Sequence, residues 1–402
     1  MTDKVQHISH LGDLHCRNYI RKEEYYECFN RFLKEQKKLN PDRIFIGGDL
    51  GHQKNVISPE LVEMLSWFLR SCADICPVLL ICGNHDALVD NKDRLDILTP
   101  IVKNLNLPDI WYFKESGCYN DVYDKNIIYV VYSCLDGQKD PQLKKYKEKY
   151  DNNNEKSYIT FFHGMVKGSI NNLGYSFSEG IDIQMFKNSN IVMLNDIHQY
   201  QTFEIKNDNG TTSPAAYSSS FLQQDQGEST DKHGFIFWDI KNKTHTFHEI
   251  KNDYGFNTIQ LEGFDSLNNN PNESNLNISK KPNIRVIWKD QNNSYSNIKK
   301  QEIKSYYQNK YKDLTSITII FESTDKTNLI NVKEDKIKNI SNYEIQKELI
   351  LDFLLNSGQL DEEELEIEID DNLSDKEIYD EYSKVIKANL DLKLKPITFD
   401  DL

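Results

Sequence analysis

Apolar and polar positions in the first 200 residues fall into two alternating textures. Short apolar runs predict strands over 5–11, 43–46, 77–82, 127–131, 158–162 and 191–194. Between the early runs lie stretches with helical spacing. One covers 19–39, where Tyr26, Phe29, Phe32 and Leu33 share a face. Another covers 59–69, with Ser58 as N-cap and Pro59 as first helical residue. Strands that alternate with helices predict a layered α/β domain. After residue 200 the texture changes, and 235–240 and 244–250 read as strands joined by a Lys/Asn turn. The polar, Asn-rich stretch 268–277 is a candidate domain boundary. Runs at 282–288, 298–311 and 316–321 predict strand, helix, strand, hence a small second domain over 256–340. Ile345, Leu349, Ile350 and Phe353 give 343–355 an amphipathic helical pattern. An acidic run at 361–371 and a helical stretch at 376–386 complete a segment spanning 341–402.

Charge refines this division. The chain has 402 residues and a net charge of −15. Residues 341–402 hold 18 acidic and 6 basic side chains, so the first 340 are near neutral. An acidic tail repels nucleic acid and suits a partner-facing role better than a DNA-facing one. The body's charge neither favours nor excludes a phosphate-bearing substrate. The 7 cysteines all lie in the first third, without a CxxC pair. No signal-peptide layout is present, and no apolar run approaches the ~20 residues that span a bilayer. A soluble, intracellular protein with free thiols and no membrane association is expected. Cys72 and Cys76 are expected to be small buried side chains of one helix.

Five segments carry candidate chemistry: Gly12-Asp13-Leu14-His15, Gly48-Asp49-Leu50-Gly51-His52, Gly83-Asn84-His85-Asp86, His163-Gly164 and Asp196-Ile197-His198. Most follow an apolar strand, and ligand-binding residues of open α/β sheets gather at strand carboxyl ends. The residue types suit divalent ions. Asp13 and His15 can chelate one ion, Asp49 can bridge two, and Asn84 offers a neutral oxygen. His163, Asp196 and His198 complete the set. Two ions ~3.5–4 Å apart would clamp the attacking and leaving oxygens of a phosphoryl displacement and acidify a water. Nitrogen and oxygen donors without thiolate favour Mn, Mg or Fe. His85 is the candidate general acid, with Asp86 expected to orient its imidazole. His52 is placed to contact a phosphate. His7 and His10 are expected in core or outer-layer roles.

The five segments resemble the calcineurin-like metallophosphoesterase superfamily, whose pattern runs D-x-H, G-D, G-N-H-D, H and G-H-x-H. A later stretch narrows the resemblance. Tyr217-Ser218-Ser219-Ser220-Phe221-Leu222-Gln223-Gln224, Gly227-Glu228 and His233-Gly234-Phe235 are similar to elements of the SbcD-type nucleases, the nuclease subunits of the DNA double-strand-break repair complex, phage and viral versions included. This resemblance implies an α/β/β/α sandwich over 1–255, a small α+β capping domain over 256–340, and a helical C-terminal segment that binds an SbcC-type ABC ATPase. It implies a homodimer and a manganese-dependent DNA exonuclease and single-strand endonuclease, working in the cytoplasm, the nucleus or a viral replication compartment. Asp13, His15, Asp49 and His198 would hold one ion; Asp49, Asn84, His163 and Asp196 the other; Mg2+ is the alternative to Mn2+.

Two positions depart from the pattern. Asp196 stands where the superfamily usually has histidine, and Ser219 where it has glycine, which suggests a different local turn. The rival readings are a phosphatase or small phosphodiesterase of the same superfamily, which leaves 217–235 without explanation, and a weakly catalytic partner protein of an ATPase complex.

Overall fold

A computed structural model describes residues 4–17, 20–54, 56–91, 94–151, 155–172, 174–274, 276–290 and 297–323. The expectations for 341–402 lie outside the described residues. The chain divides into two compact units, with the boundary after Phe256.

The first unit begins with β1 (His7–Leu11), α1 (Lys22–Leu39), β2 (Arg43–Ile46), α2 (Pro59–Ala73), β3 (Val78–Ile81), α3 (Leu98–Leu105) and β4 (Ile110–Phe113). It continues through β5 (Gly117–Asn120), β6 (Ile127–Tyr132), α4 (Leu143–Tyr150), β7 (Ser157–His163), β8 (Ile191–Asn195), β9 (Gln201–Lys206), β10 (Thr212–Tyr217), β11 (Gly234–Asp239) and β12 (Thr244–Glu249). Two six-stranded sheets result, ordered β12-β11-β1-β2-β3-β4 and β5-β6-β7-β8-β10-β9. Strands β1 to β4 are parallel, as are β6, β7, β8 and β10; the outer strands are antiparallel.

Period-2 alternation explains the layering. In β2, Phe45 joins the cluster between the sheets while Ile44 and Ile46 pack with the helices. In β3, Leu79 and Ile81 point inward, Val78 and Leu80 outward. The second sheet repeats the device, with Tyr129 and Val131 inward, Ile128 and Val130 outward. Phe45 stacks on Phe161 across the interface, ring centroids 3.8 Å apart. Both faces of each sheet are thus apolar, so the strands read as continuous apolar runs. Helices α1, α2 and α3 cover one outer face; α4 and the segment around Val166 and Phe186 cover the other. This is the expected α/β/β/α sandwich. In the second unit a three-stranded sheet forms from β13 (Tyr254–Glu262), β14 (Lys281–Asp290) and β15 (Ser316–Ser323), with α5 (Pro271–Ser274) and α6 (Asn297–Lys310) between the strands. Its core centres on Trp288, with Ile259, Ile284, Val286 and Ile303 around it.

Several local expectations change. Helix α1 starts at Lys22, three residues later than its apolar spacing predicted, because Arg21 takes a left-handed conformation at its N-cap. Ser58 does cap α2, accepting the Leu61 amide, but the helix runs on to Ala73. Cys72 lies on it and Cys76 beyond it, both buried. The Asn-rich stretch 268–277 lies inside the second unit and contains α5. Strands β4, β5, β9 and β10 carried too weak a pattern to be predicted. Strand β10, for instance, holds Pro214 and two alanines, and its place beside β8 overrides poor β propensity. All seven thiols are free. Among the described residues no helix is long and apolar enough to cross a membrane.

Candidate metal centre

The carboxyl ends of β1, β2, β3, β7 and β8 meet at one edge of the sandwich. Asp13 follows β1, Asp49 follows β2, Asn84 follows β3, His163 ends β7, and Asp196 follows β8. The first two loops run side by side: the Asp13 amide donates to Gly48 O (3.0 Å) and the His15 amide to Asp49 O (2.8 Å). Glycine permits the third loop to close in. A Cβ on Gly48, which has φ +96°, would sit 2.5 Å from the Gly83 nitrogen; one on Gly83 would sit 2.1 Å from Asp49 Oδ1. Asp13, His15, Asp49 and Asp196 all have positive φ, at 50°, 45°, 52° and 104°. Side-chain-bearing residues persist in such conformations only where their surroundings hold them, and functional sites are where that strain collects.

The candidate ligands converge. His15 Nε2 and His198 Nε2 lie 2.9 Å apart. His15 Nε2 and His163 Nε2 are each 3.5 Å from Asp49 Oδ2, which therefore stands between them. Asp196 Oδ1 is 3.7 Å from His163 Nε2 and accepts from Asn84 Nδ2 at 3.3 Å. Ligand atoms of Asp13, His15 and His198, and likewise of Asp13, Asp49 and His163, lie within 4.8 Å of one another. Asn84 Oδ1 and His163 Nε2 are buried without a hydrogen-bond partner among the described residues. Buried polar atoms are rarely left so, and an unpartnered amide oxygen and imidazole nitrogen among carboxylates and imidazoles fit a divalent cation.

Electrostatics point the same way. Burial pushes the Asp13 carboxyl up to about 6, against the pull of His163 and His198. Burial also opposes charge on Asp49, yet His163 and His15 hold that carboxyl below the usual range. His163 titrates well above an ordinary imidazole because Asp49 outweighs its burial. His198 is raised to about 9, with Glu228 and Asp13 outweighing burial.

The surrounding layer differs from expectation. Asp86 does not orient His85. Its Oδ1 accepts the Gly51 amide (2.9 Å) and its Oδ2 the Gly83 amide (3.0 Å), so it ties two ligand loops together. Burial and the Asp49 charge push its carboxyl up to about 7. His85 is instead fixed by the His52 carbonyl, 2.8 Å from its Nδ1, while its amide donates to Asp49 Oδ1 at 2.7 Å. The half-buried His52 ring stacks beside His85 with centroids 5.9 Å apart. His10 takes an outer-layer place: burial lowers its pKa to about 3, and its Nε2 lies 2.9 Å from Asn195 Oδ1. Asn195 then donates to Asp13 Oδ2 at 3.1 Å and to Ser218 Oγ at 2.7 Å. His7 stacks on Phe237, apart from the ligands. Sequence reasoning missed Asn195, a bland polar residue ending an apolar strand. Ser219 has φ +69°, so it keeps the backbone region that favours glycine rather than making a different turn.

A profile of the calcineurin-like phosphoesterase family matches residues 7–302. The chain belongs to that family. It is therefore a hydrolase of the metallophosphoesterase type, and the Asp/His cluster is its candidate metal site. It is 32% identical over 366 residues to an uncharacterized protein of Acanthamoeba polyphaga mimivirus, covering 89% of this chain and 25% of that protein. The chain thus spans about a quarter of that relative's length. It is also 24% identical over 399 residues to the SbcD component of the SbcCD nuclease of Staphylococcus epidermidis, covering 86% of this chain and 100% of that protein.

Proposed function

We propose that this phosphoesterase is a manganese-dependent DNA nuclease, cutting as an exonuclease and as a single-strand endonuclease in double-strand-break repair or recombination. The observation that carries the reading is Glu228, whose Oε1 lies 2.6 Å from His198 Nδ1. Segment 217–235, where the chain resembles SbcD-type nucleases, is thereby built into the metal centre itself. Likeness to the staphylococcal SbcCD component along that protein's full length supports the same reading.

In this reading Asp13, His15, Asp49 and His198 hold one divalent ion, and Asp49, Asn84, His163 and Asp196 hold a second. Bound there, such ions neutralise phosphate charge and lower the pKa of an attacking water. The chain's own residues do the rest. His85 donates Nδ1–H to the His52 carbonyl, which leaves Nε2 for the substrate; in its imidazolium form the ring would pass the Nε2 proton to the leaving oxygen and keep the one on Nδ1. His52 offers a half-exposed imidazole to a neighbouring phosphate. Asp86 fixes the loop that carries Asn84 and His85. Homodimerisation, a capping role for 256–340 and docking of 341–402 to an SbcC-type ABC ATPase complete the proposal, supported by the resemblance and by the staphylococcal relative's name.

The test compares substrates. With Mn2+ the full-length chain is expected to degrade linear duplex DNA and nick single strands, and His85→Ala is expected to abolish both. Rapid turnover of nitrophenyl phosphate with no cleavage of DNA would overturn the nuclease reading and favour a phosphatase.

A further inference from the structure

We propose that Glu228 is the positioning residue of the metal centre: its carboxylate fixes the ring of His198 so that Nε2 faces the cation. The inference rests on the metal-centre reading and is independent of the substrate. His198 Nδ1 lies 2.6 Å from Glu228 Oε1, a short contact of the charge-assisted kind. The opposite ring nitrogen then faces His15 Nε2 within the Asp13–His15–His198 group. An acceptor on Nδ1–H selects the tautomer that leaves the Nε2 lone pair free and makes it a better donor.

Glu228 is itself held, as a positioning group must be. Its side chain is 3% exposed. Oε2 accepts the Gln224 amide at 2.8 Å and the Ser220 hydroxyl at 3.1 Å. Ser220 Oγ also lies 3.0 Å from His233 Nδ1. Gln223 Nε2 donates to the Glu228 carbonyl at 2.9 Å and to the Phe256 carbonyl at 3.0 Å. Apart from Phe256, each residue in this web comes from the 217–235 stretch. The stretch also meets the site through Ser218, whose hydroxyl accepts from Asn195, and through the Ser220 and Phe221 amides, which donate to the His198 and Asp13 carbonyls; Glu228 is its side-chain contact with the His198 ring.

The test titrates the metal-free, full-length chain with MnCl2 and reads free Mn2+ by electron paramagnetic resonance. Glu228→Ala is expected to weaken Mn2+ binding roughly 10- to 100-fold, the usual scale for losing an outer-layer partner. Glu228→Gln, whose amide oxygen still accepts from Nδ1–H, is expected to recover part of that loss. In a His198→Ala background, Glu228→Ala is expected to change affinity by less than about twofold, because its effect passes through His198. A purely structural residue would lower the melting temperature and act alike in both backgrounds, and that result overturns the proposal. Wild-type affinity in Glu228→Ala overturns it too, as does a wild-type chain that binds no Mn2+. If Glu228→Ala fails to fold, Glu228→Gln in the two backgrounds carries the same comparison. Failure to cut DNA would leave this titration unaffected, so the two readings fail separately.

Discussion

The two ends of the sandwich use similar residues to opposite effect. At the strand-start end, Arg43 opens β2 and makes a two-pronged contact with Asp121, Nε to Oδ2 and Nη2 to Oδ1, both at 2.7 Å. Asp121 also accepts from the Tyr129 hydroxyl and from the amides of Tyr123 and Asp124. Both charged side chains are almost fully buried, and neither has positive φ. Every oxygen is used, so this end staples the two sheets together and leaves nothing over for a ligand. At the strand-carboxyl end, carboxylates and imidazoles crowd on left-handed backbone, with Asn84 Oδ1 and His163 Nε2 unsatisfied among the described residues. The lesson is that residue type does not separate structure from chemistry; completeness of hydrogen bonding and backbone strain do.

The comparison breaks most sharply at Asp49. Asparagine tolerates φ near +52° and keeps an oxygen for the His85 amide, so Asp49→Asn should fold normally. It removes the charge that stands between His15 and His163. Mn2+-dependent DNA cleavage should fall roughly 10³-fold, the scale of losing one preorganised charge-stabilising group, with the melting temperature little changed. Cleavage at the wild-type rate would show that Asp49 is another staple. The mirror experiment is Asp121→Asn. It leaves the Arg43 charge buried without its partner and should cost about 3–5 kcal/mol. At roughly 2–4 °C per kcal/mol for a domain of this size, melting should drop by roughly 10 °C. Cleavage per folded molecule should stay as in the wild type at low temperature; a matching loss of rate would mean the two ends are coupled.

A pH series sharpens the contrast. Burial opposes charge on Asp121, but Arg43 and Tyr129 hold its carboxyl below the usual range. Its folded pKa is therefore lower than the unfolded value of ~3.9. Its stabilisation is complete above that value and is lost as pH falls through the folded pKa. Denaturant unfolding of the wild type and of Asp121→Asn should thus differ most near neutral pH, and the gap should begin to narrow below about 3.9 and close only once the pH has fallen below the folded pKa. A gap that stays constant would mean the pair contributes by packing alone.

The sequence made the strand-carboxyl end far more legible than the other. Metal-type ligands are rare residues in fixed short spacings after apolar runs, so Asp13, Asp49, Asn84, His163 and His198 stood out before any geometry was known. What could not be read was the layer behind them. Asn195 carries no pattern of its own, and Asp86 adjoins His85 in the chain while its carboxylate turns to the amides of Gly51 and Gly83. Adjacency in sequence says little about which side a carboxylate faces when the chain is looping. The Arg43–Asp121 staple was invisible for a related reason: its partners are 78 residues apart, and nothing in either neighbourhood names the other. Period-2 alternation made the central strands legible, while the half-exposed edge strand β9 and its inner neighbour β10, with its proline, gave no such signal.

Asp196 offers the finest distinction, because it stands beside the candidate ligands where the superfamily pattern usually has histidine. Its φ is 104°, and its amide donates to Asp13 Oδ1 at 3.1 Å, so its backbone lies against a candidate ligand. Its Oδ1 reaches Asn84 and His163, so the shorter side chain still faces the second group of ligands. As a ligand it would change the character of the donor. A carboxylate adds a negative charge and a hard oxygen, which suits Mg2+ as well as Mn2+, whereas imidazole favours the softer ion. Asp196→His should therefore raise the ratio of Mn2+-supported to Mg2+-supported cleavage by a modest factor, with little effect on folding. The check is parallel rate measurements in the two metals. A ratio that stays the same, or moves toward Mg2+, would place Asp196 outside direct contact with the ion, among the residues that only brace Asn84.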